Sequence, residues 1–102
     1  MLSVIEAHRT EIAALCRRYH VERLELFGSA ARGTDFDPQR SDIDLLVTYQ
    51  PQAAPGFNDY FDLSEQLAAL LARPVDLVMS GAVRNPYLRA GIERSKELLY
   101  AA

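Results

Sequence analysis

The chain has 102 residues, of which 49 % are hydrophobic, and a formal net charge of -3 at pH 7. This length and composition predict one domain over residues 1–102 with a modest hydrophobic core. The negative charge argues against strong direct binding to a nucleic-acid backbone, which usually needs a clearly basic surface.

Three features bear on where the protein works. Cys16 is the single cysteine, so no disulfide can form within the chain, and we expect a reducing compartment. Cys16 falls near the apolar face of the first predicted helix, which favours a packed thiol over a nucleophile. The N-terminus lacks the basic-then-apolar order of a signal peptide, and the apolar runs are too short to span a membrane. We therefore expect a cytoplasmic protein with no membrane contact.

The first half of the chain predicts a helix followed by a strand. Ser3 and Glu6 form a capping-box pattern, after which apolar side chains recur at helical spacing to about residue 19. Residues 21–27 alternate and include β-favouring types, which predicts a strand that ends at Gly28.

The second half predicts two strands and two helices. They are a strand over residues 42–49, a leucine-rich helix that stops before Pro74, a strand over residues 74–79, and a helix opened by Asn85 as cap and Pro86 at the first position. Residues 97–100 fit either the end of that helix or an edge strand. Alternating helices and strands predict an α/β fold with a small sheet covered on at least one face, and leave the strand order open.

Two aspartates share one face of the strand over residues 42–49. Asp42 and Asp44 point to one side and the apolar odd-numbered residues to the other, and alternate residues lie roughly 6 to 7 Å apart. Hard cations such as Mg²⁺ take oxygen ligands and bind through a few carboxylates plus substrate phosphates, so a metal would offset the repulsion. Asp76, flanked by apolar residues in the later strand, is a candidate third acid.

Gly28, Ser29 and Arg32 add features of a phosphate site. A glycine at a strand end lets the backbone approach a ligand, and a helical turn after it offers unpaired N–H groups to an anion. Ser29 adds a hydroxyl donor, and Arg32 adds positive charge for a triphosphate. An isolated Asp-x-Asp or Gly-Ser pair also occurs without a ligand, so the prediction depends on their combination and order.

The stretches LFGSAARG, SDIDLLV and RPVDLV resemble the nucleotidyltransferase fold of the DNA polymerase beta superfamily, whose signature is Gly-Ser, a short spacer, Asp-x-Asp and a later third acid. The small size and the ending NPYLRAGIERSKELLY are similar to the minimal nucleotidyltransferases, the MNT antitoxins encoded beside HEPN-domain ribonuclease toxins. The resemblance covers most of the chain and implies an α/β (α+β) fold, with a mixed sheet of three to four strands flanked by helices.

The resemblance also implies roles for the site residues. Gly28 and Ser29 would hold the terminal phosphates of the nucleotide, and Asp42 and Asp44 would ligate Mg²⁺. Asp76 would ligate the catalytic metal and help deprotonate the acceptor hydroxyl. The implied reaction is transfer of AMP from ATP to a tyrosine hydroxyl of a cognate HEPN toxin, which stops its RNA cleavage and makes the toxin a partner in a hetero-oligomer.

The chain departs from the family pattern in one place. Twelve residues separate Ser29 from Asp42, a longer spacer than is usual in this family. The extra length falls in the segment from Thr34 to Arg40, for which we expect an exposed loop.

Two other functions stay open. One is nucleotidyl transfer to a small molecule such as an aminoglycoside, which the expected absence of a second domain disfavours. The other is an antitoxin that binds and occludes its toxin without catalysis, which the intact Gly-Ser pair and three acids disfavour. Phe57, Tyr60 and Tyr87 are candidates for a partner contact, although a core position is favoured for each.

Overall fold

The computed structural model describes residues 3–28, 42–53 and 56–102, except for the side chains of Ser3 and Phe57. Its elements are α1 (Ser3–Ala7), α2 (Arg9–Arg18), β1 (Val21–Phe27), β2 (Ile43–Tyr49), α3 (Phe57–Leu71), β3 (Val75–Met79), a 3₁₀ turn (Ser80–Ala82), α4 (Pro86–Ser95) and β4 (Glu97–Ala101). The predicted alternation of helices and strands is confirmed. β3 begins at Val75 because Pro74 has no N–H, and the Pro74 carbonyl instead accepts from the N–H of Ile43 at 3.0 Å.

The four strands in the described part of the chain form one mixed sheet in the order β3-β2-β1-β4. β1 is antiparallel to β2 and to β4, whereas β2 and β3 run parallel and are connected through α3. Residues 97–100, for which the sequence allowed either the end of a helix or an edge strand, therefore belong to an edge strand. In it, Glu97 pairs with Leu26 and Tyr100 with Leu24. This mixed sheet agrees with the predicted fold class.

The main core lies between one face of the sheet and helices α2 and α3. The buried side chains of α3 recur at helical spacing: they are Leu63, Leu67 and Leu71. β2 contributes its odd-numbered residues, which are Ile43, Leu45 and Val47. Cys16 of α2 is buried among them, and burial raises the pKa of its thiol to about 12. The thiol therefore stays protonated, and the predicted packed role is confirmed.

A smaller cluster covers part of the opposite face, beneath α4. Leu46, Val83 and Ile92 are buried in it, and two further hydrophobic side chains pack against them. Leu46 belongs to the even-numbered face of β2, which also carries Asp44. One face of the sheet is thus apolar under α4 and acidic near the start of β2.

The helix predicted from residue 3 to about 19 is divided at His8. The N–H of His8 donates to the carbonyl of Ile5 at 3.1 Å, a spacing of three residues that interrupts the regular ladder. Nδ1 of His8 lies 2.9 Å from the carbonyl oxygen of Val4, which is the acceptor that the backbone N–H would otherwise have used. The prediction of one continuous helix is wrong at this point because a side chain replaces the backbone donor. The predicted capping role of Ser3 depends on a side chain outside the described part.

Helix α4 begins as predicted. The side chain of Asn85 accepts from the N–H groups of Tyr87 at 2.9 Å and Leu88 at 3.3 Å, and Pro86 occupies the first position. The helix packs on the sheet through Ile92. Tyr87 precedes Ile92 by five residues, which is about 140° around the helix, and it is 88 % exposed. The core position favoured for Tyr87 is therefore wrong.

Candidate active site

Two of the predicted acids lie side by side on neighbouring strands. Asp44 in β2 and Asp76 in β3 are register partners of the parallel pair. Register partners point to the same face, and adjacent strands are about 4.8 Å apart. Asp42 lies one residue before β2 and is exposed. The structure thus brings Asp44 and Asp76 together and has Asp42 just before the start of β2.

Gly28 lies directly against the carboxylate of Asp44. It follows Phe27, the last residue of β1, which is the antiparallel partner of Asp44. A Cβ atom added to Gly28 would lie 2.3 Å from Oδ2 of Asp44, far closer than real contacts allow, and the φ angle of Gly28 is +73°. Space and backbone conformation therefore both require glycine here. Gly28 itself thus packs against Asp44, whereas the sequence predicted a close approach of its backbone to a ligand.

Three predicted features lie outside the described residues. They are the side chains of Ser29 and Arg32 and the segment from Thr34 to Arg40. Their phosphate-binding and loop roles stay predictions.

The donors present suit a metal ion that is shared with a nucleotide. Within residues 3–28, 42–53 and 56–102, no three His, Cys, Asp or Glu side chains form a metal-binding group. Mg²⁺ is usually held by one or two carboxylates and completes its octahedron with waters and substrate phosphates. Asp44 and Asp76 supply paired carboxylates of this kind. The arrangement therefore fits Mg²⁺ bound together with a triphosphate better than a cage made by protein alone.

Tyr60 connects α3 to the strand that carries Asp76. Its hydroxyl donates to the carbonyl of Leu77, the residue after Asp76. Because the Pro74 carbonyl points towards β2, the alternation of a parallel strand directs the Leu77 carbonyl to the free edge of the sheet. Burial raises the pKa of Tyr60, and the negative charge of Asp76 raises it further.

Tyr60 also packs against the main core, so the core position favoured for it is confirmed. Sequence reasoning missed its hydrogen bond, because a helical tyrosine carries no signal of a carbonyl acceptor 17 residues away. We predict from this contact that Tyr60 positions β3.

A buried ion-pair cluster lies on the same face of the sheet as the acids. Glu25 in β1 is only 5 % exposed, and its carboxylate lies 3.0 Å from Nζ of Lys96 and 3.2 Å from Nε of Arg23. The cluster borders a cavity of about 90 Å³, which Thr48 also lines. Glu25 is the register partner of Leu46, which is two residues, or about 7 Å, from Asp44 along β2. Lys96 at the end of α4 pairs with Glu25, so the cluster links this helix to the sheet beside the acids.

Comparison with known proteins identifies the family. The family described as Polymerase beta, Nucleotidyltransferase matches residues 10–102. A Methanocaldococcus jannaschii protein named putative protein adenylyltransferase is 37 % identical over 83 residues, which are 81 % of this chain and 79 % of that protein.

Two solved structures share the fold. One, of a putative minimal nucleotidyltransferase, has a TM-score of 0.73 and 33 % identity, and the match covers 90 % of this chain and 89 % of the other. A chain in a crystal structure of a toxin-antitoxin with AMP-PNP has a TM-score of 0.70 and 25 % identity, over 92 % of this chain and 73 % of the other.

The chain therefore belongs to the polymerase beta-like nucleotidyltransferase family, as the sequence resemblance predicted. It is a minimal nucleotidyltransferase, an enzyme of that superfamily whose structural neighbours include antitoxins. In the described ranges, every helix is too short or too polar to cross a membrane.

Proposed function

We propose that this chain is a Mg²⁺-dependent protein adenylyltransferase that acts as an antitoxin. It transfers AMP from ATP to a tyrosine hydroxyl of a cognate HEPN ribonuclease toxin and so neutralises the toxin. The observation that carries the proposal is the pairing of Asp44 with Asp76 beside Gly28. Mg²⁺ is usually bound by one or two carboxylates together with substrate phosphates, and this pair supplies such carboxylates.

The proposed reaction is a displacement at the α-phosphorus of ATP. The oxygen of the acceptor hydroxyl forms a bond to this phosphorus, and the bond from the phosphorus to the oxygen that bridges to the β-phosphate breaks. Pyrophosphate leaves, and the proton of the hydroxyl passes to the carboxylate of Asp76, which is exposed and so within reach of a protein acceptor. The paired carboxylates of Asp44 and Asp76, with Asp42 just before the start of β2, would supply ligands to Mg²⁺ that is shared with the phosphates, and the metal would offset the negative charge of the phosphates.

The remaining site residues act on the nucleotide in this proposal. Gly28 allows the backbone to approach the terminal phosphates, and its neighbour Ser29 donates a hydroxyl hydrogen bond to them. Arg32 adds positive charge on the same side. The glycine role is supported by the close packing of Gly28 on Asp44, which leaves no room for a side chain.

The relatives support ATP as substrate and a toxin as partner. The curated relative is named for protein adenylyl transfer, and the toxin-antitoxin structure contains AMP-PNP. On this chain, Tyr87 is 88 % exposed and the adjacent Leu88 is 56 % exposed at the start of α4. Contiguous exposed apolar side chains mark interaction sites, and tyrosine is enriched among the residues that carry most of the binding energy at interfaces. We assign them to the toxin contact. The side chain of Phe57, a further candidate, is outside the described part.

The test is transfer of label from ATP labelled at the α-phosphate to the purified HEPN product of the neighbouring gene, with Mg²⁺. We expect label on a toxin tyrosine with the wild-type chain and none with Asp42→Asn plus Asp44→Asn. Glu65→Gln is the matched control, because Glu65 is an exposed acid on α3 away from the acid pair. Transfer by the double variant, or its absence from the wild type, would contradict the proposal.

Variants of the three acids distinguish neutralisation of the toxin by catalysis from neutralisation by binding alone. If the triple variant Asp42→Asn, Asp44→Asn, Asp76→Asn still protects cells from the toxin at equal expression, binding alone accounts for neutralisation. If label instead appears on an aminoglycoside in the absence of toxin, the acceptor is a small molecule.

A further inference from the structure

A shallow apolar groove runs along the outer side of the helical layer. It lies between α2 and α3, has a volume of about 520 Å³, and is lined on its α3 side by Gln66. Its other uncharged lining residues are small or aliphatic: Ala14, Leu15, Ala69 and Leu70. Both alanines are exposed and both leucines are half-buried. Because α2 and α3 cover the main core, the groove faces away from the acids on the opposite side of the sheet.

Two opposite charges border this groove on the same helix. Glu11 and Arg18 are both exposed and lie seven residues apart, just under two turns, so they share one stripe of α2 about 10.5 Å apart along the axis. Within residues 3–28, 42–53 and 56–102, neither forms an ion pair. Arg18 stacks over the ring of Tyr19 at 5.6 Å, which holds its guanidinium near the end of the helix.

The charges and the side-chain sizes along this stripe of α2 are self-complementary. The midpoint between Glu11 and Arg18 falls between Ala14 and Leu15. A second α2 helix running antiparallel about a two-fold axis at that midpoint would place its Arg18 against Glu11 and its Glu11 against Arg18. The same operation would place its Leu15 against Ala14, so that a large side chain meets a small one. A symmetric interface requires this kind of self-match, because each contact occurs twice.

We infer that this groove is the interface of a symmetric dimer, in which the α2 helix of a second copy lies antiparallel in the groove between α2 and α3. The acids remain open in this dimer, since they lie on the other face of the sheet. The inference does not depend on the proposed transfer of AMP. A groove of this size gives a small interface, so the dimer should dissociate on dilution.

The test is the mass of the pure chain in sedimentation equilibrium, from about 1 µM to several hundred µM. We expect the wild type to form dimers in the upper part of this range. Glu11→Arg and Arg18→Glu each place like charges against each other twice, so each variant should weaken dimerisation by at least about tenfold. The double variant Glu11→Arg, Arg18→Glu exchanges the charges and should dimerise like the wild type.

An equal mixture of the two single variants gives the sharpest result. One chain then has two basic residues at these positions and the other has two acidic ones. The mixture should therefore form a heterodimer at concentrations where each variant alone, with its weakened dimerisation, is mostly monomeric. Arg17→Glu and Glu65→Arg are the matched controls, because both residues are exposed beside the groove but do not line it. Thermal unfolding followed by circular dichroism verifies that every variant is folded.

Several outcomes would overturn the inference. A wild type that stays monomeric over the whole range would do so, as would single variants that dimerise as well as the wild type. A mixture that stays monomeric would exclude antiparallel pairing of α2. If the wild type is monomeric and Glu11→Arg loses binding to the HEPN toxin, the groove belongs to the toxin and not to a second copy.

Discussion

Alternate residues of the seven-residue strand β2 form two faces of different character, one buried and apolar and one acidic. Ile43, Leu45 and Val47 are almost completely buried under α2 and α3, whereas Asp44 faces the opposite side next to Gly28 and Asp76. The buried face stabilises the domain through apolar area, and the opposite face brings two carboxylates close together on neighbouring strands. Changes on the two faces should therefore separate stability from activity.

The largest effect is expected on the acidic face. Asp44→Asn removes one of the paired carboxylates, so AMP transfer should fall on the order of a thousandfold. The free energy of unfolding should change by less than about 1 kcal/mol, since the substitution also relieves repulsion with Asp76. Single-turnover transfer assays and urea unfolding check the two parts. If Asp44→Asn lowers stability as well as activity, the proposed separation of stability and activity between the two faces is wrong.

The converse experiment acts on the buried face one residue away. Leu45 is 0 % exposed, and Leu45→Ala should lower the free energy of unfolding by about 3 kcal/mol through lost burial and a cavity. At a temperature where the variant is still folded, its rate of transfer should stay within a few fold of the wild type. Denaturant unfolding curves measure the first effect. Loss of activity in the folded variant would show that the core residue positions the acids directly.

Gly28 tests the contact between the turn and the acid. Gly28→Ala combines a positive φ angle with a clash against Asp44, and should cost about 1 to 2 kcal/mol of stability and displace the carboxylate. Gly81→Ala is the control, because a Cβ there meets no atom within 4 Å. We expect reduced transfer only in the Gly28 variant, and equal activity of the two variants would contradict the site geometry.

The smallest effect is expected at Tyr60. Tyr60→Phe removes the hydrogen bond to the Leu77 carbonyl and should cost about 1 kcal/mol of stability. Because Asp76 would be less well positioned, kcat should fall a few fold while KM for ATP is unchanged. Tyr100→Phe, in the half-buried edge strand β4, is the control. If the two variants have the same kcat, Tyr60 has no positioning role.

Local patterns in the sequence predicted most of the elements because their physical causes are local. Alternation identified β1 and β2, and the Asn85 cap with Pro86 identified the start of α4. The division at His8 could not be predicted, because it depends on a side chain that replaces a backbone donor. Residues 97–100 were ambiguous since only pairing with β1 decides between helix and strand.

The candidate site was predicted as a set of residues, but its geometry was not. Asp44 and Asp76 are register partners only because β2 and β3 are neighbours, and a strand order is a property of the whole sheet. Gly28 was expected to approach a ligand, and its packing on Asp44 itself was missed. The pattern of residues already offered Asp76 as a candidate third acid, and the resemblance to a family added the role that each acid is predicted to have.

In the proposed function, Asp44 and Asp76, beside Gly28, hold a metal ion together with the nucleotide. Nuclear magnetic resonance with Mn²⁺ as a paramagnetic substitute for Mg²⁺, in the presence of AMP-PNP, tests it without requiring turnover. We predict that the amide signals of Gly28, Leu45 and Leu77 broaden and that the double variant Asp44→Asn, Asp76→Asn abolishes this. Broadening that persists in the double variant, or that centres on other residues, would contradict the account.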